Sequence, residues 1–129
     1  MGNAGTASLF PALRIHMKRN HRTLKTWQEA IELVDAIYST TAGFPADERF
    51  GLTIQLRRAA VSVPANIAEG FARTGTRELL HFLSIASGSL SELDTLIEVA
   101  KRQKLLAGDA GLTERIDHVS ALVLALAAS

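Results

Sequence analysis

Apolar positions recur three and four residues apart through most of the chain, and nowhere do they alternate as in a strand. The spacing predicts four helical segments. The first spans about Thr26 to Thr41, with Trp27, Ile31, Val34 and Tyr38 on one face, and Gly43 and Pro45 stop it. Asp47 and Glu48 suit the electropositive start of a second helix running to about Gly70. A third begins near Gly75, with Glu78 in the capping-box position three residues on, and continues to about Leu106. After "AGDAGLT" a fourth runs from Asp109 or Thr113 to Ala127. Short connections make neighbouring helices antiparallel. The expected architecture is an all-α, up-down-up-down four-helix bundle over residues 26–129, behind an N-terminal arm of residues 1–25.

Two of these helices carry more apolar surface than one core needs. The second places Leu52, Leu56, Ala59, Val63 and Ile67 on a core face, yet Ile54, Val61 and Ala68 recur every seven residues on the opposite side. A helix that is apolar on two sides is buried on two sides, which points to another subunit. The third has a core stripe of Leu79, Phe82, Leu83, Ala86, Leu90, Leu93 and Ile97. Beside it runs a seam of small residues, Ser84, Ser87, Gly88, Ser91 and Thr95. Glycine in mid-helix costs about 1 kcal/mol against alanine, so close approach of another helix is the expected reason for Gly88.

The stretch "LRRAAVSVPANIAEG" adds architectural detail. Pro64 removes one helical hydrogen bond and clashes with the carbonyl of Ala60, which predicts a kink in the second helix. Asn66 falls beside the core face, where a buried amide must be hydrogen-bonded; the carbonyl freed at Ala60 is the expected partner. Glu69 and Arg73, four apart, form a favourable helix pair. Arg57 and Arg58 flank the two apolar faces and serve either phosphate or ion pairs at a subunit boundary.

Charge sharpens the division between arm and body. The arm holds Arg14, Lys18, Arg19, Arg22 and Lys25 with no acid, whereas the remaining 9 basic and 13 acidic residues give the body a net charge of −4. Such an arm is a candidate phosphate contact or else a solvated terminus. The start "MGNAGT" fits the loose myristoylation pattern through Gly2 and Thr6, and Met17 offers an alternative beginning. With no secretion signal and no apolar run near 20 residues, the expected compartment is the cytoplasm and no membrane contact is expected.

Candidate chemistry is sparse. With no cysteine there is neither a disulfide nor a thiolate site. Glu78 and His81 in "ELLH" form half of a di-iron motif, but no second copy exists, and Glu114 and His118 stand at a different spacing. The four histidines sit in the arm or on polar helix faces, away from any nucleophile arrangement. The expectation is a non-enzymatic protein with no cofactor and no metal.

The runs "WQEAIELV", "FPADERFGLTIQLRRAAVSVPANIAEG" and "ELLHFLSIASGSLSELDTLIEVAKR" resemble the four-helix-bundle family of 23S rRNA intervening-sequence proteins from Trp27 to about Leu106. The resemblance implies a left-handed antiparallel bundle assembling as a homopentamer, and a bacterial source. It brings no catalytic residues. A related bundle, the accessory variability determinant of diversity-generating retroelements, engages a reverse transcriptase and nucleic acid; those relatives are strongly basic, unlike the body here. The expected function is a homo-oligomeric helical scaffold that binds a macromolecule, either structured RNA or a protein. Candidate nucleic-acid contacts are the five arm cations with Arg57, Arg58, Arg73 and Arg77. Candidate interface residues are Ile54, Val61, Ala68, Ser84, Gly88 and Ser91, with Pro64, Asn66 and Glu69 structural.

Overall fold

The computed structural model describes residues 20–129, so predictions that concern Arg14, Lys18, Arg19 and the two alternative chain starts lie outside it. A 3-10 turn at Asn20–Thr23 leads into α1 (Lys25–Thr41), followed by α2 (Leu52–Ala72), α3 (Thr76–Arg102) and α4 (Leu112–Ala128). No strand occurs among the described residues. Each helix packs on the next in chain order, and α4 closes against α1. The α2–α3 pair packs most extensively, and no diagonal pair is in comparable contact.

One core fills the space between the four. Leu56, Ala59, Val63 and Ile67 of α2 meet Leu83, Ala86, Leu90, Leu93 and Ile97 of α3, as their spacing predicts. Leu112, Ile116, Val119 and Val123 complete it from α4. In α1 the inward face differs from the expected one: Ala30, Leu33 and Ile37 are fully buried, flanked by Thr26 and Thr41. Trp27 and Val34 pack at its margin, and Tyr38 is exposed. Two threonines disguised the true face, and Thr41 satisfies its hydroxyl by donating to the carbonyl of Ile37 at 2.7 Å.

Helix ends also depart from expectation, each for a local reason. Asp47 and Glu48 belong to a separate 3-10 turn (Ala46–Glu48), because Gly51 leaves helical geometry at φ −110°, ψ −114°. The Glu48 carboxylate instead accepts from the Leu52 amide at 3.3 Å, capping α2 from outside. At the start of α3 the expected capping box does not form, since glycine has no side chain to offer. Glu78 turns to Arg73 at 3.7 Å. At its other end α3 stops at Arg102 instead of Leu106, because Lys104 adopts a left-handed conformation (φ 65°) and the Leu105 amide donates to the Ala100 carbonyl at 2.9 Å. This is the six-to-one bond of a Schellman stop, with lysine where glycine is usual.

The α2–α3 junction is the tightest place in the fold. A Cβ added at Gly70 would lie 3.0 Å from Leu79 Cδ1 and 3.1 Å from Phe82 Cβ. Arg73 secures the turn beyond it, pairing with Glu69 at 2.8 Å and lying 5.1 Å over the Phe82 ring. Along the same seam Ser62 and Ser89 share a 2.7 Å hydrogen bond. The Asn66 amide donates to the Ser62 carbonyl at 2.8 Å and hydroxyl at 2.9 Å, so its partner is Ser62 and not Ala60. Pro64 is buried inside α2, which remains a single helix across it.

Candidate interaction surface

The outward side of α1 and α2 forms an open groove of about 650 Å³. Its apolar walls are Tyr38 at the end of α1, Phe50 in the connection, and Ile54 and Val61 on α2. Phe50 is 84% exposed, and Tyr38 and Val61 are each 43% exposed. Single exposed apolar residues are ordinary, but three converging on one concavity beside a half-buried Ile54 are not.

Three guanidinium groups stand among these walls: Arg49, Arg57 and Arg58. Arg57 is fixed from within. Its Nε donates to the Thr41 hydroxyl at 2.9 Å, its Nη2 reaches the Tyr38 carbonyl at 3.5 Å, and its guanidinium lies 4.4 Å over the Tyr38 ring. Arg49 lies 5.7 Å over the Phe50 ring. No carboxylate lines the groove among the described residues, and none pairs with these three cations. The site therefore combines apolar area with positive charge that the chain itself leaves unmet.

This geometry joins residues that the sequence placed in different roles. Ile54 and Val61, expected at a subunit interface, share the groove with Arg57 and Arg58, expected at phosphate or at ion pairs. Ala68 is half-buried further along α2. Ser84, Gly88 and Ser91 are exposed on the outer face of α3, and a Cβ added at Gly88 would meet nothing within 4 Å. Of the candidate phosphate ligands elsewhere, Arg22 lies 5.2 Å over the Trp27 ring, Lys25 opens α1, and Arg77 is exposed near the start of α3. Arg73 is engaged by Glu69 and Glu78, as above. Tyr38, Arg49 and Phe50 escaped prediction. The sequence puts Tyr38 on the apolar face of the first helix, and the clue to the other two is an arginine–phenylalanine pair directly before the glycine that starts a helix.

Two carboxylates with lowered pKa lie away from the groove. Glu98 is held down by its hydrogen bond from Arg102, with Lys101 adding to it, and Asp109 by the Thr113 hydroxyl and the Gly111 amide. Both serve helix ends. Glu78 and His81 are exposed, with His81 edge-on to Phe82 at 5.2 Å. No group of three or more potential metal ligands occurs among the described residues. No helix among them is long and apolar enough to cross a membrane.

A search among curated proteins finds no match. A family profile described as 23S rRNA-intervening sequence protein matches residues 22–125, from the 3-10 turn before α1 to the last turns of α4. With four helices in one closed bundle and a match over most of its length, the chain belongs to the 23S rRNA-intervening sequence protein family.

Proposed function

We propose that the protein is a non-enzymatic, homo-oligomeric helical scaffold of the cytoplasm that binds structured RNA. The observation that carries the assembly in this reading is the exposed apolar and cationic surface of α1 and α2, which a solitary bundle would leave in water. The family's association with 23S rRNA intervening sequences supports nucleic acid as the partner. In this reading the arm cations Arg14, Lys18, Arg19, Arg22 and Lys25 contact phosphate, with Arg77 adding to them. Several arms gathered by assembly multiply weak individual contacts.

The finer architecture belongs to the same proposal. Short connections support antiparallel neighbours, the missing amide at Pro64 supports a bend in α2, and the family resemblance supports five copies. Val61→Glu places a charge on the exposed apolar face, so it yields smaller species that keep full helical circular dichroism. Parental mass in native mass spectrometry for that variant refutes the interface.

RNA binding is tested by titrating a structured RNA at rising salt. If the five arm cations all neutralise phosphates, each engaged arm contributes about −4 to the slope of log affinity against log salt, and deleting residues 1–25 flattens it. Affinity indifferent to salt refutes phosphate contact. The apolar walls of the groove favour a second reading, a protein-interaction adaptor. In that case the deletion leaves partner binding intact.

A further inference from the structure

The groove on α1 and α2 carries three cations without a counter-charge, and the opposite side of the bundle carries the complement. Because each helix packs on the next in chain order and α4 closes on α1, with no diagonal contact, the α3–α4 face lies across the core from the α1–α2 face. Between α3 and α4 runs a second, shallower groove of about 270 Å³. Asp94 and Asp117 line it together with the small polar residues Ser91, Thr95 and Ser120. No cation lines it, and neither aspartate is within ion-pair distance of a basic group among the described residues.

We infer that the basic groove of one copy receives the acidic α3–α4 face of the next copy, head to tail. This rests on the homo-oligomer reading above and adds which surfaces meet. A two-fold dimer through the basic groove would set three guanidiniums against the same three, and like charges at an interface are strongly unfavourable. The acidic face supplies the opposite sign. Its small residues, continued along α3 by Ser84 and Gly88, admit a neighbouring helix without side-chain collision. Val61 and Ile54 then gain the apolar cover that one copy cannot give them.

A contact between two different faces is heterologous, so it propagates into a closed ring or an open filament and never ends at a dimer. It also consumes Arg49, Arg57 and Arg58 between subunits. Phosphate contact then falls to the arm and to Arg77.

The test uses full-length protein, native mass spectrometry and far-ultraviolet circular dichroism. Arg49→Glu with Arg58→Glu reverses two exposed groove cations without touching Arg57, which is bonded within the chain. Asp94→Lys with Asp117→Lys reverses the other face. Each pair is expected to reduce the assembled wild-type mass towards the single chain of 13.9 kDa while helicity persists. All four changes in one chain restore complementarity, and the wild-type mass returns. If wild type assembles but either pair keeps its mass, or the fourfold variant fails to recover it, this pairing is wrong and the oligomer reading stands. A wild-type protein that is monomeric overturns both.

Discussion

Two glycines inside helices provide a measurement of how closely α2 and α3 approach. Gly70→Ala and Gly88→Ala each exchange a helical glycine for alanine, a gain of about 1 kcal/mol or less in helix propensity. At Gly88 nothing in the same chain lies within 4 Å of the new Cβ, so the dissociated chain keeps the gain. At Gly70 the new methyl meets Leu79 Cδ1 at 3.0 Å, Phe82 Cβ at 3.1 Å and the Leu79 carbonyl at 3.4 Å. Leu79 can swing its terminal methyl aside, but Phe82 Cβ is fixed to the α3 backbone. Overpacking of this kind costs about 1–3 kcal/mol. Subtracting one variant from the other largely cancels the propensity contribution and leaves the packing cost alone. Urea unfolding followed by circular dichroism should therefore separate the two midpoints by roughly 1 M, with Gly70→Ala below wild type and Gly88→Ala above it. Measurement at two protein concentrations reveals any contribution from assembly. If Gly70→Ala is as stable as Gly88→Ala, the crossing is looser than described and the reasoning fails.

Other consequences follow from the seams and the helix ends. Ser62→Ala strands the nearly buried Ser89 hydroxyl and removes one of the two Asn66 bonds, at a cost of about 1–3 kcal/mol. The Ser62→Ala, Ser89→Ala double variant should cost less than the sum of the two single changes, as a double-mutant cycle in urea would register; strict additivity refutes the shared bond. Lys104→Gly relieves the left-handed lysine that ends α3 and should raise stability by about 0.5–1 kcal/mol in urea unfolding; an unchanged or lower midpoint refutes this account of the helix stop. Asp109, whose pKa is lowered, contributes stability that is fully present above its ordinary value of 3.8 and is lost as pH falls through the lowered folded value. Wild type should accordingly lose its advantage over Asp109→Asn only in that acid range; an advantage independent of pH argues against the cap.

How much of this was legible follows from what each helix asks of its residues. In α2 and α3, leucine, valine and isoleucine stand at core positions with polar or small residues between them, so hydrophobic period alone recovers the buried faces. In α1 bulk misled. Trp27, Ile31, Val34 and Tyr38 outweigh Ala30, Leu33 and Ile37 in side-chain size, yet the latter three and the flanking threonines are the buried ones. A small inward residue lets helices approach, and a wheel that ranks positions by hydrophobicity does not register that benefit. The helix ends failed for a different reason. The stop at Lys104 requires a left-handed residue without glycine, and the Glu48 cap acts from outside the helix it caps. Neither leaves a periodic signal. The groove escaped because it is assembled from α1, the connection and α2, so no single segment displays it.

The position of Arg57 links these levels. From sequence alone it is a cation between two apolar stripes, suited to phosphate but better to ion pairs at a subunit boundary. The structure ties its Nε to Thr41 and lays its guanidinium over Tyr38. These contacts restrain the side chain, so less conformational entropy remains to be lost on contact with a partner. A phosphate ligand needs no apolar wall, whereas Ile54, Val61 and Phe50 stand beside this cation and gain nothing from a solvated backbone phosphate. A protein surface bearing carboxylates uses both features together. Charge and apolar area in one groove therefore favour a subunit contact there, and the proposed RNA contact is left to the cations outside it.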